Sequence, residues 1–411
     1  MAVPSLRFRG FVGEWEDIEA RKLFPTVTNG FVGVATPFYA ERGTMYLQGK
    51  NVKSNSIDPE GLIYVNSTFH NKQKKSQLKE GDIVMVQSGH VGECAVITKE
   101  YAGSNCHALL ILKPNGEGDS SFYSQYFYTD FGKRLIYKIT TGNTIKHILA
   151  SDVKVLRLPY PSLPEQRKIA DFLSAVDEKI RLLTEKKDKL ETYKKGVMQK
   201  LFPKQGQTNP ELRFKRPDGT AFPDWEEKRL GEIGSFLKGK GVSKSDIDEE
   251  GMNECIRYGE LYTSYGEVIE KVYSKSNQSI EESILSEPND VLIPASGETQ
   301  IDIATASSIN KKGVILGGDV NVFRTKQNGS FIAYQLCSAR KIEVARLSQG
   351  ISVIHLYSSQ LKGLLIGLSS KEEQERIVDF LLSIDHRIKG CLEEIDHMKD
   401  FKKGLLQQMF V

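Results

Sequence analysis

A set of residues recurs 208 positions later along the chain, and this duplication limits the folds that the sequence can adopt. In the clearest stretch, residues 164–202 and 372–410 share 15 identities in 39 positions without a gap. Thirteen of these identities are Glu165, Gln166, Ile169, Asp171, Phe172, Leu173, Asp177, Ile180, Lys194, Lys195, Gly196, Gln199 and Phe202, repeated as Glu373, Gln374, Ile377, Asp379, Phe380, Leu381, Asp385, Ile388, Lys402, Lys403, Gly404, Gln407 and Phe410. Because solenoid periods are about 20–50 residues, this period indicates a duplicated domain.

The repeat extends upstream of that stretch. From about residue 78 onward the two halves align with no net insertion, whereas the openings, Pro4 to Glu16 and Pro210 to Glu226, match with an offset that drifts from 206 to 210. The matching features are Asp82 with Asp290, Ser88-Gly89 with Ser296-Gly297, Tyr126 with Tyr334, and Gly142…His147 with Gly350…His355. Between these positions the two halves differ strongly, which predicts a duplicated scaffold with two different surfaces.

Each half is predicted to end in one long helix. Both helices open on an S-x-x-E pattern, Ser162 to Glu165 and Ser370 to Glu373, which is typical of a capping box. Apolar residues then alternate in steps of four and three for more than four heptads, interrupted at Lys187, Lys194 and Lys402, and this pattern predicts a coiled-coil seam. The predicted seam residues are Ile169, Leu173, Val176, Ile180, Leu183, Leu190, Val197, Ile377, Leu381, Ile384, Ile388, Ile395, Met398 and Leu405.

Connectivity predicts the direction of the two helices. A helix of 39 residues rises about 58 Å, and only a short linker, 204–209, separates its end from the second mixed domain. The second helix must then run back along the first to bury its stripe. We therefore predict an α+β protein with two similar mixed α/β domains in a pseudo-two-fold arrangement, separated by two long antiparallel coiled-coil helices. The predicted segments are 1–160, 161–203, 204–368 and 369–411.

Composition excludes several classes of protein. The net charge of +3 gives no global basic field, and no run of 18 apolar residues or apolar leader is present. Five cysteines without a C-x-x-C pair fit reduced thiols better than disulfides or a zinc site. These features predict a cytoplasmic protein that binds no metal.

Two similar but non-identical domains on a rigid spacer suit a target with two sites at a fixed separation. Duplex DNA is such a target, because its helical turn of about 34–36 Å sets the spacing of half-sites. A two-headed protein–protein adaptor without a DNA role fits the same geometry and is the alternative. An enzyme that acts alone has the least support.

Several motifs carry a family resemblance. The chain has Gly81-Asp82-Ile83-Val84…Ser88-Gly89, then Gly142…His147, then Leu163-Pro164-Glu165-Gln166-Arg167-Lys168-Ile169, and repeats this order down to Lys402-Lys403-Gly404. In this it resembles the specificity subunit of type I restriction–modification enzymes over essentially its whole length. The second copy departs at Ser369-Ser370-Lys371-Glu372, where the first has its proline-containing entry, and the first copy lacks an obvious Lys-Gly-Lys-Gly element.

The resemblance implies a non-catalytic subunit whose two target-recognition domains each read one part of a split DNA sequence. It implies association with two modification subunits, which bind S-adenosylmethionine and methylate adenine. It also implies restriction subunits, which use ATP with Mg²⁺ to translocate and cleave DNA. No cofactor is expected on this chain itself.

Candidate DNA contacts are basic, small polar or aromatic side chains in predicted loops, because such groups contact phosphates and base edges. A solvated loop explains the lysine run in the first half about equally well, and a tight structural turn explains the two Ser-Gly pairs equally well. The candidates are Lys72, Gln73, Lys74, Lys75, Ser88 and Gly89 in the first half, and Lys238, Lys240, Lys244, Arg257, Tyr258, Tyr265, Ser296 and Gly297 in the second.

Catalytic readings of the motifs are weaker than structural ones. Gly234 to Gly241 resembles a phosphate-binding loop but ends in glycine, so the hydroxyl that would hold Mg²⁺ is missing, and a flexible basic loop is expected instead. Glu185-Lys186-Lys187 matches a Glu-x-Lys pattern of nucleases, but it lies in a charged stretch of the predicted long helix, with Lys187 on the predicted seam, so a structural role is expected. No Asn-Pro-Pro-aromatic run exists to hold a flipped adenine. His147 and His355 lack a shared carboxylate or nucleophile partner and are expected to be structural, with a contact to the DNA backbone as the alternative.

Overall fold

The structure is a computed structural model that describes residues 3–204 and 206–411. The chain divides into two compact units. Unit 1 contains the residues up to Thr184 together with Glu393–Val411, and unit 2 contains Glu185–Leu392. Since both division points are 208 residues apart, the units follow the repeat. Each unit has one mixed domain, the first part of one long helix and the last part of the other.

Unit 1 contains twelve short strands among the described residues. They are β1 (Glu16–Glu19), β2 (Thr26–Asn29), β3 (Tyr39–Ala40), β4 (Thr44–Leu47), β5 (Val52–Lys53), β6 (Ser56–Ile57), β7 (Ile63–Val65), β8 (Ile83–Val86), β9 (Cys94–Val96), β10 (Asn105–Cys106), β11 (Leu109–Lys113) and β12 (Arg157–Tyr160). The helices that begin in this unit are α1 (Ala20–Leu23), α2 (Ser67–Lys72), α3 (Ser120–Phe127), α4 (Asp130–Ile139), α5 (Ala150–Lys154) and the long α6 (Leu163–Leu201), with 3₁₀ turns at Thr36–Phe38, Gly49–Asn51 and Lys74–Ser76.

Unit 2 repeats this order with local differences. Its strands are β13 (Glu226–Arg229), β14 (Gly234–Lys238), β15 (Asn253–Ile256), β16 (Val268–Ile269), β17 (Ser274–Ser276), β18 (Ile284–Leu285), β19 (Asp290–Pro294), β20 (Ser296–Gly297), β21 (Ser307–Ile309), β22 (Ile315–Leu316), β23 (Val320–Thr325), β24 (Ile354–His355) and β25 (Leu365–Leu368). Its helices are α7 (Leu230–Ile233), α8 (Glu260–Thr263), α9 (Gln300–Ile303), α10 (Gly329–Cys337), α11 (Lys341–Leu347), α12 (Ser358–Leu361) and the long α13 (Lys371–Gln408), with a 3₁₀ turn at Lys244–Asp246.

The same sheet organisation is built twice. The main sheet has the order β2-β11-β8-β9 in unit 1 and β14-β23-β19-β21-β16 in unit 2. The small sheets are β10-β4-β7-β3 and β17-β15-β22-β18, and each contains one parallel pair, β4 with β10 and β15 with β22. Strands β8 and β19 are buried along their whole length. Continuous apolar runs such as Ile83-Val84-Met85-Val86 therefore form the centre of each core.

The long helices α6 and α13 pack in antiparallel fashion, and this can be seen within each unit. In unit 1, Lys402 forms an ion pair with Asp177 at 2.6 Å. In unit 2, Lys194 forms the corresponding pair with Asp385 at 2.6 Å. Every predicted seam residue is buried or half-buried. Lys194 and Lys402, which interrupt the apolar pattern, therefore lie at the helix contact and are neutralised there.

In each unit a tryptophan packs between the mixed domain and the end of a long helix. In unit 1, the Trp15 ring lies 5.8 Å from Phe122 and 6.4 Å from Phe410. In unit 2, Trp225 has the same two kinds of neighbour. It lies 5.4 Å from Phe331 and 6.3 Å from Phe202. The Trp-Glu openings and the terminal phenylalanines of the repeat are thus parts of one core contact.

The predicted capping boxes form only in part. Ser370 Oγ accepts the backbone N–H of Glu373 at 3.4 Å, but the hydrogen bonds described for the two glutamate carboxylates run to side chains of the opening segments. Arg7 binds Glu165 at 2.6 Å, and Arg213 binds Glu373 at 2.9 Å. These glutamates are almost fully buried, so they fasten the openings to the helices.

The offset between equivalent residues of the two copies is 208 overall, but it changes locally and then returns to this value. Strands β12 and β25 keep the offset of 208, so the absence of a net insertion is confirmed. The match of Tyr126 with Tyr334 is wrong by one residue. Gln125 donates to Asp177 and Tyr334 donates to the equivalent Asp385, so Gln125 is the true counterpart. The predicted linker 204–209 includes Gln205, which lies outside the described residues.

Candidate nucleic-acid interface

One edge of each small sheet is shaped by a glycine that follows the first strand of the main sheet. In unit 2 the Gly239 N–H donates to Val320 at 2.8 Å, and a Cβ at Gly239 would clash with the carbonyl oxygens of Leu316 and Gly317. Only glycine allows this close crossing of two backbones. The crossing holds the segment 239–244 beside the end of β22.

Unit 1 forms the same crossing without the lysines. The Gly30 N–H donates to Leu109 at 2.7 Å, and the Phe31 N–H donates to Cys106 at 2.9 Å. The counterpart of Lys238 to Lys244 is therefore the apolar loop 29–34, which sequence reasoning missed. Val32 and Val34 in this loop are 65% and 75% exposed, which is unusual for two valines so close together. The pattern Gly-x-x-Gly in 30–33 was the available signal.

The lysine run of unit 1 lies beside this loop. Helix α2 packs on the loop 29–34, since the ring centroid of Phe69 lies 5.0 Å from that of Phe31. Asn105 is fully buried and its amide donates to the Gln73 carbonyl and to Ser76 Oγ at 3.1 and 2.8 Å. A buried, satisfied amide of this kind fixes the backbone of the segment. Gln73 is accordingly half-buried.

The lysines on this segment remain exposed. Among residues 3–204 and 206–411, Lys72, Lys74 and Lys75 have no ion-pair partner, and residues 66–79 contain four lysines and no acidic residue. The structure therefore places three predicted residues on a rigid segment with uncompensated positive charge. Such a segment can contact phosphates of a nucleic acid without first breaking internal ion pairs.

The lysines of unit 2 are exposed as well, but they are partly compensated. Lys238 lies 3.7 Å from Asp319. Lys240 and Lys244 have no ion-pair partner within the described part of the chain, although the acidic run Asp246–Glu250 follows directly. Asp246 is engaged locally, because its carboxylate accepts the Ser243 N–H at 2.7 Å. The positive charge here is weaker than in unit 1.

Arg257 and Tyr258 lie next to this lysine segment. A Cβ at Gly317 would contact the carbonyl oxygen of Val242 on one side and Cα of Arg257 on the other, at 2.9 and 3.4 Å. Arg257 is half-buried and lies 3.5 Å from Glu260, whereas Tyr258 is exposed. The structure thus brings the 239–244 and 257–258 segments together at one edge of unit 2.

Tyr265 is less available than its neighbours. Its ring stacks on Tyr273 at 5.5 Å, and its hydroxyl accepts the Tyr273 N–H at 3.1 Å. Burial raises the pKa of Tyr265 to about 12. The outer face of this pair is presented by Tyr273, which is 60% exposed and was not singled out from the sequence.

The two Ser-Gly pairs take part in strand pairing. Ser88 Oγ lies 2.6 Å from Nδ1 of His147, and Ser296 Oγ lies 3.1 Å from Nδ1 of His355. The prediction that the two histidines share no nucleophile partner is therefore wrong, because strand pairing brings an equivalent serine to each of them. Ser296 and Gly297 are buried, Ser88 is half-buried, and Gly89 alone is exposed. The burial favours the structural-turn explanation for the pair in unit 2. The equivalent serine contacts give both histidines a structural reason to recur.

The glycine that precedes each histidine has a backbone reason to recur. Gly142 and Gly350 have φ of +93° and +129°, and a Cβ at either position would clash with a carbonyl oxygen three residues ahead. The hairpins that return to His147 and His355 therefore require glycine.

Two further observations concern metals and membranes. Within the described residues, no group of three or more His, Cys, Asp or Glu side chains is placed to hold a metal ion. In the same part of the chain, no helix has the length and apolar character needed to cross a membrane.

The segment that resembles a phosphate-binding loop, Gly234 to Gly241, begins with strand β14, which pairs with β23. The prediction of a flexible loop is therefore wrong for residues 234–238.

Comparison with known proteins decides the family. Residues 15–192 and 223–396 each match the family described as the type I restriction modification DNA specificity domain. The chain belongs to this family. The two matches coincide with the two mixed domains and most of the long helices that follow them. The resemblance predicted from the repeated motifs is confirmed, and so is the predicted fold class.

Relatives and solved structures agree with this assignment of the specificity subunit. The chain is 26% identical over 346 residues to the type I restriction enzyme MjaVIII specificity subunit of Methanocaldococcus jannaschii, covering 81% of this chain and 79% of that one. A second relative from that organism is 24% identical over 406 residues, and the alignment covers 96% of this chain and 92% of that relative. The type I restriction–modification S subunit from M. genitalium has the same fold, with a TM-score of 0.62, 16% identity and coverage of 100% and 99%.

A chain solved in a study of complex assembly in a type I restriction–modification system also shares the fold, with a TM-score of 0.55 and 17% identity. Membership assigns this specificity subunit a role in DNA recognition within a type I system and no catalytic role of its own. The DNA contacts at the level of single residues stay predictions.

Proposed function

We propose that this specificity subunit reads an asymmetric, bipartite duplex target, with one half of the target read by each mixed domain. The observation that carries the proposal is the contrast at corresponding edges of the two units. The backbone crossings at Gly30 and Gly239 are the same, but one is followed by Phe31-Val32 and the other by Lys240. Equal scaffolds with different edges suit two different base sequences.

Phosphate contacts would come mainly from Lys72, Lys74 and Lys75 in unit 1 and from Lys240 and Lys244 in unit 2. These contacts would supply affinity that falls steeply with salt. Base contacts would come from groups beside them, such as Arg257, Tyr258 and the loop 29–34. Side chains of these types can reach hydrogen-bonding groups or thymine methyl groups in the major groove.

The same proposal includes the partners of the subunit. Two modification subunits would bind S-adenosylmethionine and methylate adenine at the site that this chain selects. Restriction subunits would use ATP and Mg²⁺ for translocation and cleavage. The complex would act in the cytoplasm, where the target DNA lies, and the specificity subunit would supply position rather than chemistry.

Mapping of methylated adenines in a genome tests the proposal. A strain that expresses the modification subunits is compared with and without this chain, by sequencing that detects the methylated base. We expect one motif of two unlike halves with a fixed gap, methylated only when the chain is present. A control strain expresses the chain without the modification subunits and should show no methylation. A chain-dependent pattern without a motif, or no new methylation, would contradict the proposal.

A further inference from the structure

The connection between the paired strands β8 and β9 of unit 1 is shorter than its counterpart between β19 and β21 of unit 2. Ten residues separate Val84 from its partner Ala95 in unit 1, and fourteen separate Leu292 from Ser307 in unit 2. The four additional residues correspond to the length of helix α9, which has no counterpart in unit 1. This is a single insertion at a defined point of a shared scaffold.

In unit 2 the inserted helix fills a space in the core. Helix α9 packs on α11, and Ile303 at its end is fully buried in one cluster with Val344 and Ile354. The Thr299 side chain caps the helix by accepting the Asp302 N–H at 3.1 Å. The unit thus covers its own apolar surface with a short helical turn that carries an aliphatic side chain and an acidic one.

In unit 1 the corresponding position is a cavity of about 480 Å³. It lies between the turn Gly89–Gly92 and helix α4, whose Ile136 corresponds to Val344. Its floor consists of the buried Phe127 and Ile136, and its walls include Val91 and Tyr137. A volume of this size lies in the range of about 300–1,000 Å³ that is common for binding pockets.

The rim of the cavity is basic. Lys133 and Lys146 line it, and among residues 3–204 and 206–411 neither has an ion-pair partner. The acidic lining residue Glu93 is engaged, because its carboxylate accepts the Ser54 N–H and the Tyr128 hydroxyl at 2.9 Å each. The cavity therefore combines an apolar floor with two lysines against the single carboxylate of Glu93, and this net positive charge complements an aliphatic side chain beside a carboxylate.

We propose that this cavity of unit 1 is a docking site for a short acidic, aliphatic helical turn of a partner protein. The occupant would seat a branched aliphatic side chain on Phe127 and Ile136, as Ile303 is seated in unit 2. Its carboxylate would lie near Lys133 and Lys146. Unit 2 cannot accept the same partner at the corresponding place, because α9 occupies it. The partner would therefore bind one side of the subunit only.

A graft tests whether the cavity accepts such a turn. Residues 89–92 of the full chain are replaced by the sequence of residues 297–304, and a matched graft carries the equivalent of Ile303→Asp. We expect the first graft to raise the melting temperature by about 2–4 °C, because it buries an aliphatic side chain in place of an open cavity. The matched graft should not raise it. Equal destabilisation by both grafts would overturn the proposal.

Binding in trans tests the docking itself. The probe is a fluorescent peptide of residues 297–305, constrained as a helix, and binding to the full chain is followed by fluorescence anisotropy. We expect saturable binding that is at least tenfold weaker for the Ile303→Asp peptide and for the Lys133→Glu, Lys146→Glu variant. The grafted chain should not bind the peptide. No saturable binding to the wild-type chain would overturn the proposal.

A DNA arm separates this site from the DNA interface. The bound peptide is challenged with a duplex that carries the mapped target, and with a scrambled duplex of equal length. We expect neither to displace it specifically. Displacement by the target duplex alone would assign the cavity to DNA recognition and would overturn the proposal of a protein partner.

Discussion

In unit 1 the buried indole N–H of Trp15 has no hydrogen-bond partner among the described residues, whereas in unit 2 the indole of Trp225 donates to Glu373 at 3.1 Å. Both rings nevertheless contact equivalent phenylalanines. The comparison shows that apolar packing defines the shared scaffold, while its polar contacts have diverged. Polar divergence of this kind changes the stability of a unit without changing its fold.

The helix contacts show the same divergence. In unit 1, Asp177 is the one ion-pair partner of Lys402 among the described residues. In unit 2, Lys194 pairs with Asp385 and also with Glu267 at 2.7 Å. Glu267 belongs to the mixed domain, so the lysine joins that domain to the helices. Glu270 of the same domain also pairs with Lys389 of α13 at 2.8 Å, so more of the described ion pairs join unit 2 to its helical part than join unit 1 to its own.

The largest expected effect comes from removing the glutamates that bind the opening arginines. Glu373→Ala removes the buried carboxylate that Arg213 and Trp225 share and should lower the free energy of unfolding of unit 2 by about 3–5 kcal/mol. Glu165→Ala removes the carboxylate that binds Arg7 and should cost unit 1 about 1 kcal/mol less, because no indole hydrogen bond is lost.

The two tryptophans allow this comparison to be measured separately in each unit. The chain contains only Trp15 and Trp225, so urea unfolding of Trp15→Phe variants reports on unit 2, and unfolding of Trp225→Phe variants reports on unit 1. Glu373→Gln and Glu165→Gln serve as controls that keep side-chain size. Equal losses from the two alanine variants would show that the Trp225 hydrogen bond contributes nothing to stability.

A smaller effect is expected at the helix contact. Lys194→Met leaves Asp385 and Glu267 without their shared cation and should cost unit 2 about 2 kcal/mol at neutral pH. Lys402→Met is the matched control and should cost unit 1 about 1 kcal/mol, because within the described part of the chain Asp177 is the one carboxylate that loses its cation. A loss at Lys402 as large as that at Lys194 would contradict the asymmetry.

The pH dependence of this contact has a defined sign. Burial lowers the pKa of Lys194, but Glu267 and Asp385 raise it more, so its pKa lies above the ordinary 10.5. The folded state thus holds the proton more tightly, and the stabilisation is complete below pH 10.5 and is lost as the pH rises through the raised value. Thermal unfolding between pH 8 and 11.5 should show a loss in the wild type that Lys194→Met lacks. A parallel pH profile of the two proteins would contradict this assignment.

The smallest effect on stability, below about 0.5 kcal/mol, is expected for exposed lysines, whose role is predicted to lie in DNA binding. Changing Lys72, Lys74 and Lys75 together to Gln should reduce the slope of log affinity against log salt by up to about 3. The matched change of Lys238, Lys240 and Lys244 should reduce it less, because Lys238 already faces Asp319. Electrophoretic mobility shifts at several salt concentrations measure both slopes. Unchanged slopes would exclude both segments from the interface.

Much of the scaffold could be predicted from the sequence, because repeated residues carry repeated contacts. The Trp-Glu openings, the terminal phenylalanines Phe202 and Phe410, and the lysines Lys194 and Lys402 all recur and all have equivalent partners in the structure. The apolar steps of four and three predicted the long helices, since that spacing places residues on one helical face.

The loops at the edges of the two mixed domains could not be predicted in the same way. The loop 29–34 shares only its glycine crossing with 238–244, and its partners on β10 and β11 are distant in sequence. Ser296 and Gly297 looked like surface residues, yet strand pairing with β24 buries them. Helix α9 changes the space around α11 without changing the net register, because later deletions offset its four residues. An insertion that is offset by later deletions leaves the overall alignment of the two halves unchanged, so it can be located only from the strand pairing in the structure.

The most direct test of two independent readers is an exchange of one mixed domain. Residues 15–160 are replaced by the corresponding segment of a relative with a different mapped target, and methylated adenines are mapped with the same modification subunits. We predict that one half of the target changes to that of the relative, while the other half stays the same. A change in both halves, or in neither, would contradict the division of recognition between the two units.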